Sequence, residues 1–167
     1  MDTILKRRSI RNFTNETVSK EVIEKIIKAG MQAPSAFNGQ PWEFIVTNRQ
    51  GDKDAIAEAS PYASCTKDSA YAIVILCEAE RAKKGDTWWI QDLSAATENM
   101  LLTIADENLA GVWLGMYPDE NRTNALSEYF ELEKNQIPFA VIAFGHSDEE
   151  NKFVDRYDES KVYWRER

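Results

Sequence analysis

Apolar side chains recur at helical spacing for about five turns in the stretch IQDLSAATENMLLTIADENL, residues Ile90–Leu109. A run of this length predicts the central helix of the fold. Apolar or β-branched runs predict strands at Trp42–Thr47, Ala72–Cys77, Val112–Met116 and Phe139–Phe144. Helices are predicted at Asp2–Arg8, from a Ser19 cap to Gly30–Pro34, and at Glu120–Phe130. No repeat or linker interrupts this order, which predicts a single α+β domain over residues 1–167.

The composition is that of a globular protein with an acidic surface. The chain has 167 residues, 43% of them hydrophobic and 29% charged, with a formal net charge of -8. A chain of this size buries roughly 70% of the surface that its unfolded form exposes, which is enough for a proper core. Nucleic acids and anionic membranes require a cationic field, so the net charge argues against both partners.

Targeting and metal signals are weak. The start MDTILKRRSIR is polar and basic without an apolar run, so we expect a cytoplasmic protein. Cys65 and Cys77 lack Cys-x-x-Cys spacing, and His146 is the single histidine. We therefore expect reduced structural cysteines and no metal site. His146 also lacks a nucleophile elbow before it, which argues against a triad hydrolase.

A cationic cluster stands near the start of this acidic chain. Arg7, Arg8 and Arg11 fall within five residues together with Ser9, and no acid lies between Asp2 and Glu16. Planar guanidinium groups suit phosphate oxygens, and a serine hydroxyl completes the hydrogen bonds of an anion. Alternatively, these cations merely complement the dipole of a short helix.

A second segment, Ala33–Trp42, combines turn formers with amide side chains. Its sequence APSAFNGQPW suits the polar edge of a planar heterocycle, although ordinary turn chemistry explains it equally well. In the segment Ala110–Met116, Gly111 and Gly115 flank an apolar stretch, either for close approach of a ligand or for core packing. Trp88 and Trp89 indicate an interface or an aromatic pocket.

The polar tail 148–167 carries scattered aromatic residues without a periodicity of its own. Such a tail needs another surface, so we predict that it packs on a partner subunit. Lys152 and Arg156 within it either add cations to a phosphate site or are simply solvated.

Together these segments resemble the nitroreductase family of FMN-dependent oxidoreductases, particularly its short members. The resemblance spans almost the whole chain and rests on Arg7–Phe13, Ala33–Trp42 and Ala110–Gly115. Asp92 and Ala95–Leu102 resemble the family's central helix, and Gly145, Lys152, Arg156 and Val162–Trp164 resemble its closing segment. The first two motifs, in this order and spacing, are the specific ones.

The resemblance implies an α+β fold with a central mixed, mainly antiparallel sheet flanked by helices. It further implies an intertwined homodimer with two FMN molecules at the interface. Under this resemblance, the phosphate and ribityl chain would contact Arg7, Arg8, Ser9, Arg156 and Lys152. Arg11 would lie beside the pyrimidine edge of the flavin and stabilise the negative charge of its reduced form.

The remaining implied contacts come from two loops. From the partner subunit, Pro34, Ser35, Ala36 and Asn38 would reach the flavin, while backbone groups of Leu114 and Gly115 would meet the ring near its hydride-accepting nitrogen. Three features depart from the family pattern. Ala36 replaces a frequent second serine, Val112-Trp113 replaces a smaller pair, and Pro61–Ser69 shows no clear match, so no contact is assigned there.

The implied activity is ping-pong hydride transfer from NAD(P)H through FMN to a flat acceptor such as a nitroaromatic or a quinone. The protein needs no dedicated acid or base, which agrees with the absence of a convincing catalytic pair. Two alternatives stay open at this point. One is a flavin-binding or redox-sensing dimer with little turnover, and the other is a structural dimer whose arginine cluster is solvated.

Overall fold

The computed structural model describes residues 2–82 and 88–166. Five α-helices occur in these residues: α1 (Asp2–Lys6), α2 (Lys20–Met31), α3 (Gln50–Ala59), α4 (Trp88–Asp106) and α5 (Glu120–Tyr129). The strands are β1 (Trp42–Thr47), β2 (Tyr71–Glu78), β3 (Ala110–Gly115) and β4 (Gln136–Gly145). None of the described helices is long and apolar enough to cross a membrane.

The four strands form one sheet in the order β1-β2-β4-β3. All three pairings are antiparallel, which confirms the predicted, mainly antiparallel α+β sheet. The parallel component is an isolated bridge between Ser9 and Gly111 at the β3 edge. β1 and β3 therefore form the two opposite edges of the described sheet.

Two apolar cores cover the two faces of the sheet. On one face α4 and α2 pack over the sheet, and Met100, Leu93 and Ile26 are fully buried there. The other face packs around Ile56 of α3 and Leu126 of α5, which are also fully buried. Because both faces are covered, β2 and β4 read as continuous apolar runs instead of alternating ones.

Most of the predicted elements are confirmed. β1 begins and ends as predicted, and the Ser19 hydroxyl accepts a hydrogen bond from the Val22 N–H at the start of α2. Several bounds differ from the prediction: α1 ends at Lys6, α4 ends at Asp106, β4 begins at Gln136, and the third strand covers Ala110–Gly115. Met116 falls outside that strand because its N–H and that of Tyr117 both donate to the Phe139 carbonyl, which breaks the regular ladder.

The sequence did not predict α3, because two of its three buried residues are charged. The Asp52 carboxylate accepts hydrogen bonds from the Thr47 hydroxyl at 2.6 Å and the Tyr129 hydroxyl at 3.0 Å. Lys53 Nζ donates to the Ser69 carbonyl at 2.8 Å. Long-range partners thus satisfy charges that would otherwise oppose burial, and no apolar stripe marks this helix.

The pH dependence of stability is expected to carry a contribution from Cys77. Burial, with the carboxylates of Glu78 and Asp92 nearby, raises the pKa of its thiol to about 12. Above about pH 9 the unfolded chain loses a proton that the folded chain keeps, so the free energy of unfolding falls as pH rises. Between pH 8 and pH 10 the wild type should lose about 1–2 kcal/mol more than Cys77→Ala in urea unfolding. Parallel pH profiles for the two proteins would contradict this.

Candidate functional site

The cationic segment Arg7–Arg11 lies along the outer edge of β3. The Ile10 N–H donates to the Gly111 carbonyl at 3.2 Å, and the bridge between Ser9 and Gly111 adds a second point of attachment. The Ile10 side chain is buried and anchors the segment, whereas Ser9 and Arg11 are exposed. One short stretch of chain therefore presents a hydroxyl and several guanidinium groups beside an edge strand.

Arg8 is the constrained member of this cluster. Its Nη2 donates to the Leu5 carbonyl at 2.9 Å and its Nη1 to the Arg7 carbonyl, so it does complement the end of α1. Its Nε, however, is buried without a hydrogen-bond partner in the described residues. Burial lowers the pKa of the Arg8 guanidinium from its usual value, and the charges of Arg156 and Arg7 lower it further. A cation with these neighbours is stabilised by an anion.

The tail brings Arg156 to this cluster. The Asn151 side chain accepts from the Arg8 backbone N–H at 2.8 Å and donates to the Leu109 carbonyl at 3.3 Å. This contact holds the start of the tail against the cationic segment. Arg7 is partly neutralised, since its Nε lies 3.3 Å from a Glu98 carboxylate oxygen. Lys152 is exposed and forms no ion pair with a described residue.

The loop before β1 contains the second predicted group of site residues. The Ala36 N–H donates to the buried carboxylate of Asp92 at 2.9 Å, and the Gln40 N–H donates to the Ser35 hydroxyl at 3.0 Å. A Cβ at Gly39 would lie 2.7 Å from the Arg81 carbonyl oxygen, so this close approach requires glycine. Pro34 and Asn38 are exposed, while Ser35 and Ala36 are half-buried.

The two predicted groups stand on opposite edges of the same sheet. The loop containing Pro34–Asn38 leads into β1, whereas the segment Arg7–Arg11 lies alongside β3. Three inter-strand spacings separate these edge strands, or about 14 Å. The structure of one chain therefore brings Arg7, Arg8, Ser9 and Arg156 together and places the loop that leads into β1 at the opposite edge of the sheet.

A cleft of about 510 Å³ opens at the far end of β3. The described residues that line it are Arg11, Ser60, Tyr62, Trp113, Leu114, Gly115 and Arg122. Arg11, Leu114 and Gly115, which the sequence predicted as site residues, thus meet in one place. A Cβ at Gly115 would contact no atom within 4 Å, so the backbone there is open. The Leu114 side chain is buried in the core, which leaves its backbone as the group it can present.

Sequence reasoning missed three residues of this cleft: Ser60, Tyr62 and Arg122. Arg122 Nη1 donates to the Gly115 carbonyl at 3.1 Å, and its Nε lies 3.1 Å from an Asp119 carboxylate oxygen. Its guanidinium also lies 5.4 Å from the ring centroid of Tyr62. Tyr62 falls in Pro61–Ser69, where the sequence assigned no contact. The sequence around Arg122 indicates only a polar helix face. Contacts across the fold, not local pattern, assemble them.

Fold and site together define an α+β protein with a four-stranded antiparallel sheet and a cationic segment along one edge strand. The chain belongs to the nitroreductase family, whose model matches residues 4–64 and 58–146. This match confirms the family resemblance seen in the motifs.

Individual relatives agree with the family assignment. The chain is 38% identical over 163 residues to an Archaeoglobus fulgidus protein provisionally named NADH dehydrogenase/NAD(P)H nitroreductase, covering 96% of this chain and 94% of the relative. A crystal structure of a provisionally named NADH oxidase from Clostridium acetobutylicum matches with a TM-score of 0.95 at 45% identity, covering 99% and 100% of the two chains. A provisionally named nitroreductase from Desulfovibrio desulfuricans, crystallised in complex with FMN, matches with a TM-score of 0.84 at 30% identity, covering 99% and 95%. The nitroreductase fold is thereby confirmed.

Proposed function

We propose that this chain is an FMN-dependent NAD(P)H oxidoreductase of the nitroreductase type that works as a homodimer. Family membership, relatives named NAD(P)H nitroreductase and a structural neighbour with bound FMN support this function. The donor NAD(P)H and a flat acceptor, such as a nitroaromatic or a quinone, use the cleft in turn. With a nitroaromatic, NAD(P)H and one proton convert the nitro group to a nitroso group, and NAD(P)⁺ and water are released.

One observation carries the proposal: the two ends of β3 offer complementary chemistry. The guanidinium cluster lies at Gly111, and the open backbone lies at Gly115, four residues further along. Four residues of a strand span about 13 Å. The edge therefore suits an extended ligand with a phosphate at one end and a flat ring at the other, which is the form of FMN. The unpartnered Nε of Arg8 agrees with this fit.

The cationic end is assigned to the phosphate and the ribityl chain. In this proposal Arg7, Arg8 and Ser9 bind them, and Arg156 and Lys152 add charge from the tail. Guanidinium forks match phosphate oxygens geometrically, and the Ser9 hydroxyl is exposed for a further hydrogen bond. Asn151 keeps the Arg8 backbone in place for this task.

The open end is assigned to the ring. The Arg11 guanidinium would lie by the pyrimidine edge, where a cation favours the negative charge of the reduced form. Backbone groups of Leu114 and Gly115 would meet the ring at its reactive edge. Bound FMN supplies the hydride chemistry, so the residues of this chain serve to bind, orient and tune.

A second copy of the chain supplies the β1 loop in this proposal. Because β1 and β3 are opposite edges of one sheet, Pro34, Ser35, Ala36 and Asn38 reach the ring from the partner subunit. The hydrogen bond from the Ala36 N–H to Asp92 holds that loop in shape. A homodimer would then form two equivalent sites, each with a cationic edge from one protomer and a loop from its partner.

The tail 148–167 of the single domain 1–167 is assigned to the same interface. Its described part exposes Phe153, Val154, Tyr157, Val162, Tyr163 and Trp164, with Tyr163 at 88%. This number of exposed apolar side chains on one segment favours burial against a protein partner. β1 is an edge strand, and an apolar groove of about 550 Å³ runs beside it, lined in part by Met31, Phe44 and Val46. The partner's tail is the occupant that we assign to this groove.

Purified protein tests this function directly. We expect visible flavin absorbance with one FMN per subunit, and rapid NADH or NADPH oxidation once menadione is added. Flavin with negligible turnover would overturn the enzyme proposal in favour of a flavin-binding or redox-sensing dimer. Protein that stays colourless at saturating FMN would overturn the cofactor assignment as well.

A further inference from the structure

Arg122 gives the cleft a second guanidinium group at the Gly115 end of β3, away from the proposed phosphate site at Gly111. It belongs to the first turn of α5, where the Asp119 carboxylate caps the helix by accepting from the N–H groups of Asn121 and Arg122. Its Nη1 is fixed by the Gly115 carbonyl at 3.1 Å. The side chain is 23% exposed, so it is held in place while still facing the open cleft.

The charge of this cleft is opposite to that of the whole chain. The net charge is -8, yet the described lining contains Arg11 and Arg122 and no carboxylate. Asp119 compensates part of one positive charge through its contact with Arg122 Nε, but its carboxylate also serves the start of α5. Because Arg11 is assigned to the flavin, Arg122 is the cation that the described cleft retains for an anionic acceptor.

Tyr62 adds an aromatic face beside this cation. Its side chain is 71% exposed, and the Arg122 guanidinium lies 5.4 Å from its ring centroid. A cation at this distance is attracted to the face of the ring. A flat aromatic group could stack on Tyr62 while a negative substituent reaches the guanidinium, because the two features are adjacent.

We propose that Arg122 and Tyr62 select electron acceptors that carry a carboxylate on a flat aromatic ring. This inference rests on the proposed function and names the acceptor class for the same site. Tyr62 contacts the ring and Arg122 pairs with the carboxylate, next to the open backbone of Gly115. The Gly115 carbonyl fixes the Arg122 guanidinium. The carboxylate of the acceptor would therefore be held at a set distance from the flavin ring.

The test compares 4-nitrobenzoate with its neutral methyl ester, which differ in charge at one position. We expect wild-type kcat/KM to favour 4-nitrobenzoate, and Arg122→Gln to lower the ratio of the two kcat/KM values by roughly 10- to 100-fold. Arg122→Lys should retain part of the preference, because it keeps the charge and loses the fork. Arg49→Gln is the matched control, since the Arg49 side chain is 83% exposed just before α3 and outside the cleft, and it should keep the wild-type ratio.

Equilibrium binding gives a second readout that does not depend on turnover. Quenching of tryptophan fluorescence by 4-nitrobenzoate should weaken in Arg122→Gln and Tyr62→Ala, and added salt should weaken it in the wild type. Tyr62→Ala keeps the test valid if loss of the Gly115 and Asp119 contacts prevents Arg122→Gln from folding. Because Tyr62 is exposed, its removal leaves the core intact.

Three results would overturn the inference. The wild type could show no preference between acid and ester, or Arg122→Gln could affect both acceptors equally, which indicates a structural role. A change in the KM ratio of NADPH to NADH without a change in the acceptor ratio would instead assign Arg122 to a donor phosphate. Failure of the proposed function looks different: the wild type would bind no FMN and oxidise NAD(P)H with neither acceptor, while the fluorescence titration would still report on Arg122.

Discussion

Arg8→Ala is expected to weaken FMN binding by roughly 10- to 100-fold, so that the purified variant loses most of its visible flavin absorbance. In the structure Arg8 lies beside Arg7 and Arg156, with a buried Nε that has no partner in the described residues. Removing it takes away a charge-assisted donor to the phosphate in our assignment. The dissociation constant, from quenching of free FMN fluorescence on titration with apoprotein, is the measurement.

Two variants sharpen this prediction. Lys6→Ala is the matched control, because Lys6 is an exposed cation on the neighbouring turn and pairs with Asp2 at 3.6 Å. It should retain wild-type affinity. Arg8→Lys should fall between the two, since it keeps the charge without the planar fork. If Arg8→Ala has the wild-type melting temperature and binds FMN as tightly as the wild type, the assignment of the phosphate to the cationic cluster is wrong.

Truncation after Asn151 is expected to weaken the homodimer by more than 100-fold, leaving mostly monomer at micromolar concentration. The deleted segment carries six exposed apolar side chains, four of them aromatic. Each contributes about 1.5–3 kcal/mol when fully buried, and every 1.4 kcal/mol changes an affinity tenfold. Asn151 is kept because it holds the Arg8 backbone and Leu109. Sedimentation equilibrium measures the outcome.

The controls separate the dimer contact from the cofactor contact. Arg156→Ala in the full chain should lose FMN affinity while staying dimeric, because it removes a cation and leaves the apolar tail. Tyr163→Ser with Trp164→Ser should weaken the dimer, because both side chains are at least 71% exposed within one chain. A truncated chain that remains a dimer at micromolar concentration would show that the tail is not the interface.

Local pattern was sufficient wherever the decisive contacts are short-range or the apolar run is continuous. β1 was predicted residue by residue, and α4 was recognised from its length and periodicity. The Ser19 cap lies within three residues of the N–H that it accepts from. The family motifs could also be recognised from the sequence, because Arg7–Phe13 and Ala33–Trp42 each combine unusual residues in a short stretch.

Long-range contacts decided the rest. α3 carries Asp52 and Lys53 into the interior, and their partners Tyr129 and Ser69 are 77 and 16 residues away. No periodicity rule can anticipate a charged residue whose burial depends on such partners. The cleft residues Tyr62 and Arg122 have the same origin, since sheet pairing and helix packing bring them together.

The sequence by itself determined the α+β class, the family and the two stretches of unusual chemistry, because hydrophobic periodicity and clustered side chains are local properties. Tertiary structure alone decided that those stretches lie on opposite edges of one sheet, since strand order follows from pairing between distant segments. It also decided that Arg122 and Arg11 line the same cleft at the end of β3. Proximity between residues far apart in sequence is a property of the packed chain and is not encoded in any single window.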